Sequence, residues 1–486
     1  MTYEDLAGGV GRSVYFRAKR HRASLALKGI APTVVLGGLA TSLQDFSMTG
    51  LAVRIANATP DLPLGAIVPV SLRLNDVETF TGRAQIVRSE PLGRWTTIGV
   101  RLVEKLLDPA DVQNAQSRIM VGEAVAKGSS QFSNVPQAYR ALCGEVAFFL
   151  SYWQVTLARL GSANAESPDL SLREERAAEQ RMRQEWNALR IRGNDLTAAL
   201  REGGIEYAAT KRYTEIQVTP LTFDAPIWRR AYQKPRGYPG DFILMTYMYD
   251  DDTRIGDSAF GRILHQIGRE ERLAATVPSR KELLKEVIDH VVRGKENSST
   301  GPVRLLSIGA GPARELEEYI DSDRSKAPLV VTLVDQDEEA LAYACERLRK
   351  AIVKRNRLVE INARYIGFGQ LLGRRDLLTE LRGQDLIYSA GLMDYLSEEG
   401  ARGLLSLCYE LAAPGSQLAF GNASSADDVR WVPEFILDWH MIYRSDAEIR
   451  RLVDFLPGDA DVNVRRDSSG AWCFVVIRKP LHLGAE

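Results

Sequence analysis

Val303-Arg-Leu-Leu-Ser-Ile-Gly-Ala-Gly-Pro-Ala-Arg-Glu-Leu316 is a short apolar run closed by two glycines one residue apart and a proline. A buried strand is expected to end at Ile308, the chain to turn on Gly309 and Gly311, and a helix to begin near Pro312 with Glu315 in its first turns. A Gly-x-Gly pattern alone also describes many ordinary tight turns. The next apolar run, Leu329-Val-Val-Thr-Leu-Val-Asp335, sharpens the reading, because it ends in an acidic residue one strand and one crossover further on. A carboxylate there can accept hydrogen bonds from both hydroxyls of a ribose. Its plainer role would be to cap the following helix.

Strand and helix signals alternate outward from this pair to the C-terminus. A helical stretch near Lys281 to Arg293 leads in through a polar loop, and strands are expected at Ala363–Ile366, Asp385–Tyr388, Ser416–Phe420 and Trp472–Ile477. The pattern predicts an α/β doubly wound, mostly parallel sheet with binding loops beyond the carboxyl ends of its strands.

The first hundred residues read differently. Leu25–Leu27, Thr33–Leu36, Gly50–Ile55, Ile67–Leu74, Thr81–Ser89 and Thr97–Leu102 are short segments punctuated by Gly, Pro, Asn and Asp, with no room for helices between them. They predict a small antiparallel barrel or sandwich. From Asp108 to about Arg212 the period becomes helical, with Met182, Trp186 and Leu189 on one amphipathic face and a break at Gly161–Pro168. The expected domains are therefore 15–105, a helical section 108–212, and 213–486, the last with an N-terminal helical lid and a core from about residue 300.

The chain has 486 residues, 62 basic and 63 acidic, for a net charge of −1. Such a balance offers no global field for a polyanion and argues against nucleic acid as the main partner. Cys143, Cys345, Cys408 and Cys473 are dispersed in apolar or mixed runs, which predicts buried thiols in a reducing cytoplasm. No pair of His and Cys residues has metal-ligand spacing, so no metal is expected. The apolar run Val146–Leu157 is short and bounded by Glu145 and Arg159, which predicts a buried helix and no integral membrane segment. A homo-oligomer stays open.

Ser307 through Glu315, Val334-Asp335 and Asp385-Leu-Ile-Tyr-Ser-Ala-Gly-Leu-Met-Asp-Tyr-Leu396 resemble the class I S-adenosylmethionine (SAM)-dependent methyltransferases. Lys234-Pro-Arg-Gly-Tyr-Pro-Gly-Asp241 and Trp439-His-Met-Ile-Tyr-Arg444 resemble one bacterial subgroup, the extracellular-factor or 3-hydroxypalmitic acid methyl ester biosynthesis proteins. The resemblance implies a cofactor site at Ser307, Gly309, Gly311 and Asp335. It also implies a small-molecule acceptor, in this subgroup the carboxylate of a 3-hydroxy fatty acid. Many superfamily members carry an acidic residue where this chain has Ser307. On the acceptor side the candidate catalytic residues are Tyr388, Asp394, His440 and Tyr443, and the candidate binding residues are Arg236, Tyr238, Asp241, Tyr395 and Arg444. A dinucleotide-binding fold is the alternative, but it usually places a third glycine where this chain has Ala313 or Arg314.

Asp45-Phe-Ser-Met-Thr-Gly50, preceded by Arg17, Lys19, Arg20 and Arg22, resembles the PilZ domain, which often binds cyclic di-GMP. The resemblance implies Arg17, Arg20, Arg22, Asp45, Ser47 and Gly50 as ligand contacts. The family's first motif has two arginines four positions apart, whereas here His21 follows Arg17 and Ser24 follows Arg20 at that spacing. Two readings follow: a methyltransferase regulated by cyclic di-GMP, or a noncatalytic signalling or scaffold protein responsive to the same nucleotide.

Overall fold

The computed structural model describes residues 20–481 except 28–29, 57–61, 76, 93–94, 128–131, 164–167, 201, 251, 253, 297–300, 323–324, 374–379, 426–428 and 459. The chain divides into two compact units, Met1–Gln131 and Phe132–Glu486.

In the first unit the strands are β1 (His21–Arg22), β2 (Pro32–Leu36), β3 (Leu39–Ser47), β4 (Gly50–Ala56), β5 (Ile67–Leu74), β6 (Val77–Leu92) and β7 (Trp95–Leu102). They pair antiparallel in the order β1-β3-β2-β5-β6-β7-β4, and a further β3–β4 pairing closes the ring into a barrel. Val34, Phe46, Leu51 and Leu72 fill its interior, and helix α1 (Pro109–Lys127) adds Val112 to the same core. This contact carries the unit past residue 105, where composition had placed its end. Leu25–Leu27, expected as strand, falls in and just after a helical turn, Ala23–Ala26. Strand β3 was not anticipated, because Thr41, Ser42, Gln44 and Asp45 dilute its apolar alternation.

The second unit begins with α2 (Gln137–Ala163), α3 (Pro168–Ala198), α4 (Ile205–Gln217), α5 (Pro226–Gln233), α6 (Phe242–Tyr249), α7 (Ala259–Glu270) and α8 (Arg272–Glu296). One face of α2, including Tyr139, Val146 and Phe149, shares a core with Met182 and Trp186 of α3 and with Trp228 and Leu264. The Trp186 ring lies 5.3 Å from that of Trp228 and 5.8 Å from that of Trp431. Burying each such side chain contributes roughly 1.5–3 kcal/mol. The helices expected as a separate section at 108–212 thus split: α1 joins the barrel, and α2 and α3 merge with those that follow. Among the described residues Gln137–Leu160 alone is long and apolar enough to cross a membrane, and its inner face belongs to this core.

Strands β8 (Val303–Ile308), β9 (Leu329–Asp335), β10 (Val359–Tyr365), β11 (Gln384–Ser389), β12 (Ala412–Ala423), β13 (Asp461–Arg466) and β14 (Trp472–Arg478) form the sheet, in the order β10-β9-β8-β11-β12-β14-β13. The first five are mutually parallel, and β14 runs antiparallel to both its neighbours. Leu305, Leu333 and Leu386 pack under α8, α9 (Arg314–Asp321) and α10 (Glu338–Arg355). Leu306, Val334 and Ile387 pack on the opposite face under α11 (Glu398–Leu411). The expected doubly wound α/β layer is present. Edge strand β13, absent from the sequence reading, is mostly polar and partly exposed. The strand order reverses between β8 and β11, and crevices form beyond the carboxyl ends at such a reversal.

Candidate functional site

The β8 turn is strapped to β9. The amides of Gly309 and Ala310 donate to the Val334 carbonyl (2.8 and 3.2 Å), and that of Gly311 donates to Asp335 Oδ2 (2.8 Å). Positive φ at Gly309 (65°) and Gly311 (53°) permits this path, which L-residues adopt only at a cost. Asp335 Oδ1 accepts from the Asp337 amide (2.9 Å), and burial raises the pKa of the Asp335 carboxyl. The Gln336 amide donates to the same carboxylate, so three backbone N–H groups hold it in place. A side chain at Gly311 would meet nothing within 4 Å, while one at Gly309 would face Leu392 and Ser389. The Ser389 hydroxyl, at the end of β11, is buried without a hydrogen-bond partner. The Asp335 carboxylate, an open glycine edge and an orphaned hydroxyl therefore meet at the switch point.

Beneath this turn lies a polar support. Ser307 and Tyr388 are register partners across β8 and β11. The Tyr388 hydroxyl donates to Glu315 Oε1 (2.8 Å), and burial raises the pKa of both groups. Ser307 and Tyr388 are buried in the layer between sheet and helix, so they shape the turn and do not face an open cleft.

The loop after α5 reaches the same strand end. Arg236 Nη1 donates to both Asp337 oxygens (3.1 Å each), its Nη2 pairs with Glu339, and the Tyr238 hydroxyl donates to Asp337 Oδ2 (2.9 Å). Both residues, expected on the acceptor side, thus stand beside Asp335. Asp241 has a structural duty: its carboxylate caps α6 by accepting from the Leu244 amide (2.9 Å) and pairs with Arg230 (2.8 Å).

A cavity with a free volume of about 90 Å³ lies between the helices and the ends of β11 and β14. Trp228, Met245, Met248, Val277, Trp439 and Met441 make its wall chiefly apolar. Asp394 and Tyr395 also line it, and the Tyr395 hydroxyl accepts from Trp439 Nε1 (2.9 Å). Asp394 is fully buried, which pushes its pKa up to about 6 although it accepts from the Ala423 amide (2.7 Å). Glu271, also on the wall, is pushed up to about 7 by burial while Trp186 Nε1 donates to it (2.5 Å).

The segment expected to complete this wall divides. Trp439 and Met441 face the cavity, whereas His440 lies exposed in a separate polar depression, 2.8 Å from Glu202. Tyr443 borders that depression, and its hydroxyl is buried without a partner. Arg444 is committed to the scaffold: its guanidinium donates to the Met393 carbonyl (2.8 Å), Asn422 Oδ1 (2.5 Å) and the Leu396 carbonyl (2.5 Å). Three of its five N–H donors are thereby taken.

Sequence reasoning missed Ser389, Glu271 and Arg280. The last left a signal, because the buried stripe of α8 runs Val277, Arg280, Leu284, Val287 and Ile288. An arginine stands where helical spacing calls for an apolar residue.

On the barrel, Arg20 pairs with Asp45, and Arg22 sits opposite Asp45 in the β1–β3 register. Ser47 is buried and donates to the Gly50 carbonyl (3.3 Å), closing the hairpin. A Cβ at Gly50 would lie 2.4 Å from the Val100 carbonyl oxygen, so close strand approach is enough to require glycine there. Arg17 lies outside the described residues.

Residues 17–113 match the PilZ domain family, and the barrel is a PilZ domain. Solved structures similar to the chain include the CurJ carbon methyltransferase, at 12% identity and TM-score 0.38, covering 77% of this chain and 100% of that one. The magnesium protoporphyrin IX methyltransferase of Synechocystis is similar at 11% identity and TM-score 0.31, covering 58% of this chain and 100% of that one. A possible exported protein from Bordetella parapertussis shares 16% identity at TM-score 0.36, covering 65% of this chain and 100% of that one. No curated protein matches the chain.

Proposed function

We propose that the second unit is a SAM-dependent methyltransferase acting on a small molecule. The observation that carries this reading is the convergence of the Gly309–Gly311 turn, the Asp335 carboxylate and the unpartnered Ser389 hydroxyl at the switch point. Asp335 would accept from the ribose hydroxyls, the open glycine edge would admit the methionine portion, and Ser389 would gain its missing partner. When bound, SAM supplies a methyl group already electrophilic on its sulfonium, so in-line positioning provides much of the catalysis. Asp337, held by Arg236 and Tyr238, fixes the wall beside the ribose position.

The acceptor we infer is the carboxylate of a 3-hydroxy fatty acid. The chiefly apolar cavity suits an acyl chain, and a carboxylate is ionised at neutral pH without a general base. That independence fits a site whose nearby tyrosines, Tyr388 and Tyr443, are held protonated by burial. A volume of about 90 Å³ is below the roughly 150 Å³ of a cavity that holds benzene. A long chain therefore requires the covering helices to move.

Calorimetric titration with SAM tests the cofactor site: saturable binding should weaken in Asp335→Ala while the protein stays folded. Loss of all binding to wild-type protein refutes the assignment. Methyl-labelled SAM offered with a fatty-acid panel should yield an alkali-labile ester, and transfer only to protein, nucleic acid or amines refutes the acceptor.

For the barrel we propose cyclic di-GMP binding at Arg20, Arg22 and Asp45 that alters methyl transfer. Nucleotide titration of wild-type, Arg20→Ala and Asp45→Ala proteins tests binding, and turnover with and without nucleotide tests control. The scaffold duties of Asp241, Tyr388 and Arg444 favour the second, noncatalytic reading, which absence of turnover with retained nucleotide binding would support.

A further inference from the structure

Arg280 stands on the cavity wall and is 8% exposed. Its Nη2 reaches only the Met245 sulfur (3.4 Å), its Nε is buried without an acceptor, and a side chain at Gly391 would bring Cβ to 3.0 Å from Nη1. The guanidinium lies over the Trp472 ring at 4.4 Å, and the indole Nε1 of Trp472 is likewise buried without an acceptor. Glu315 and Asp394 are near enough to act on the guanidinium electrostatically, but neither accepts a hydrogen bond from it. A buried guanidinium normally holds an oxygen acceptor, and leaving one unmet costs far more than an ordinary hydrogen bond gains.

We propose that Arg280 is the carboxylate-binding residue of this cavity, taking the carboxylate of a ligand that lies between the glycine turn and the apolar wall. The inference rests on the methyltransferase reading in one respect: the carboxylate then belongs either to the methionine portion of SAM or to the acceptor. The chemistry is the same in both cases. A planar guanidinium already oriented by Trp472 and placed beside Gly391 can present a fork of two N–H groups to two oxygens. Gly391, Asp394 and Tyr395, which follow β11, line the same cavity as Arg280.

Two ligand pairs differing only in the carboxylate distinguish them. Wild-type, Arg280→Met and Arg280→Lys proteins are titrated with SAM and decarboxylated SAM, and with dodecanoate and dodecanol. Arg280→Met should lose at least tenfold in affinity for the carboxylate-bearing member of one pair and leave its carboxylate-free member unchanged. The affected pair identifies the source. Should Arg280→Met fail to fold, Arg280→Lys, which keeps the charge and loses the fork, should show a several-fold loss with the same selectivity. Equal changes within both pairs, or no change in either, overturn the proposal. Failure of wild-type protein to bind SAM would count against the cofactor reading, and the dodecanoate pair would then decide Arg280 by itself.

Discussion

Replacing Asp394 by asparagine should remove part of the pH dependence of stability of the second unit. The Asp394 carboxyl is fully buried, and its pKa is pushed from 3.8 to about 6. Its oxygen accepts from the Ala423 amide (2.7 Å), a bond that an asparagine oxygen can keep. A pKa raised in the folded state means that the native protein holds this proton more tightly than the unfolded chain does. The associated stability is fully present below about pH 4 and is lost as the pH climbs to about 6. The full loss is about 3 kcal/mol, equivalent to about 4 °C in melting midpoint for a unit this large. Other carboxyls shift in both directions, Glu271 and Glu315 upward by burial and Asp321 and Glu339 downward by their basic partners, and all of these act alike in wild type and variant. The difference between them isolates Asp394. Thermal melts at pH 4.5 and 7.5, followed by tryptophan fluorescence, should show wild type losing stability relative to Asp394→Asn as the pH rises. An unchanged difference would refute the assignment of a proton to this carboxyl in the folded state.

Arg444→Met should destabilise the second unit by roughly 3–5 kcal/mol, because three buried oxygens lose their donor; denaturant unfolding measures it, and a change under 1 kcal/mol would contradict the strut role. Tyr388→Phe leaves Glu315 buried without its hydroxyl donor, so SAM affinity and the melting midpoint should fall together; calorimetry showing weaker binding at an unchanged midpoint would place Tyr388 in the cleft instead. Gly50→Ala forces a Cβ to 2.4 Å from the Val100 carbonyl, and the barrel should unfold or lose its cooperative melt; a variant with wild-type dispersion in its amide NMR spectrum would contradict this.

Where periodicity and turn chemistry were strong, they sufficed. Val303–Ile308 and Leu329–Asp335 are fully legible as buried strands, because both faces of a central strand demand apolar residues and only glycine suits the turn after the first. The barrel was legible from spacing, since turns recurring every few residues leave no room for crossovers. Edge strand β13 and the polar β3 escaped for the complementary reason: a strand with a wet face carries a weak apolar signal.

The roles of individual polar side chains obeyed another rule. Arg444, Asp241 and Arg280 are chemically ordinary in the linear chain, and motif position alone marked the first two for a ligand. Folding brings three oxygen acceptors to Arg444 and a helix N-terminus to Asp241, but only a thioether sulfur to Arg280. Hydrogen-bond satisfaction depends on partners distant in the chain, such as the 51 positions between Arg444 and Met393 or the 35 between Arg280 and Met245. Local propensity therefore decides which residues form strands and turns, and packing alone decides which buried charges are already spent and which still lack an acceptor.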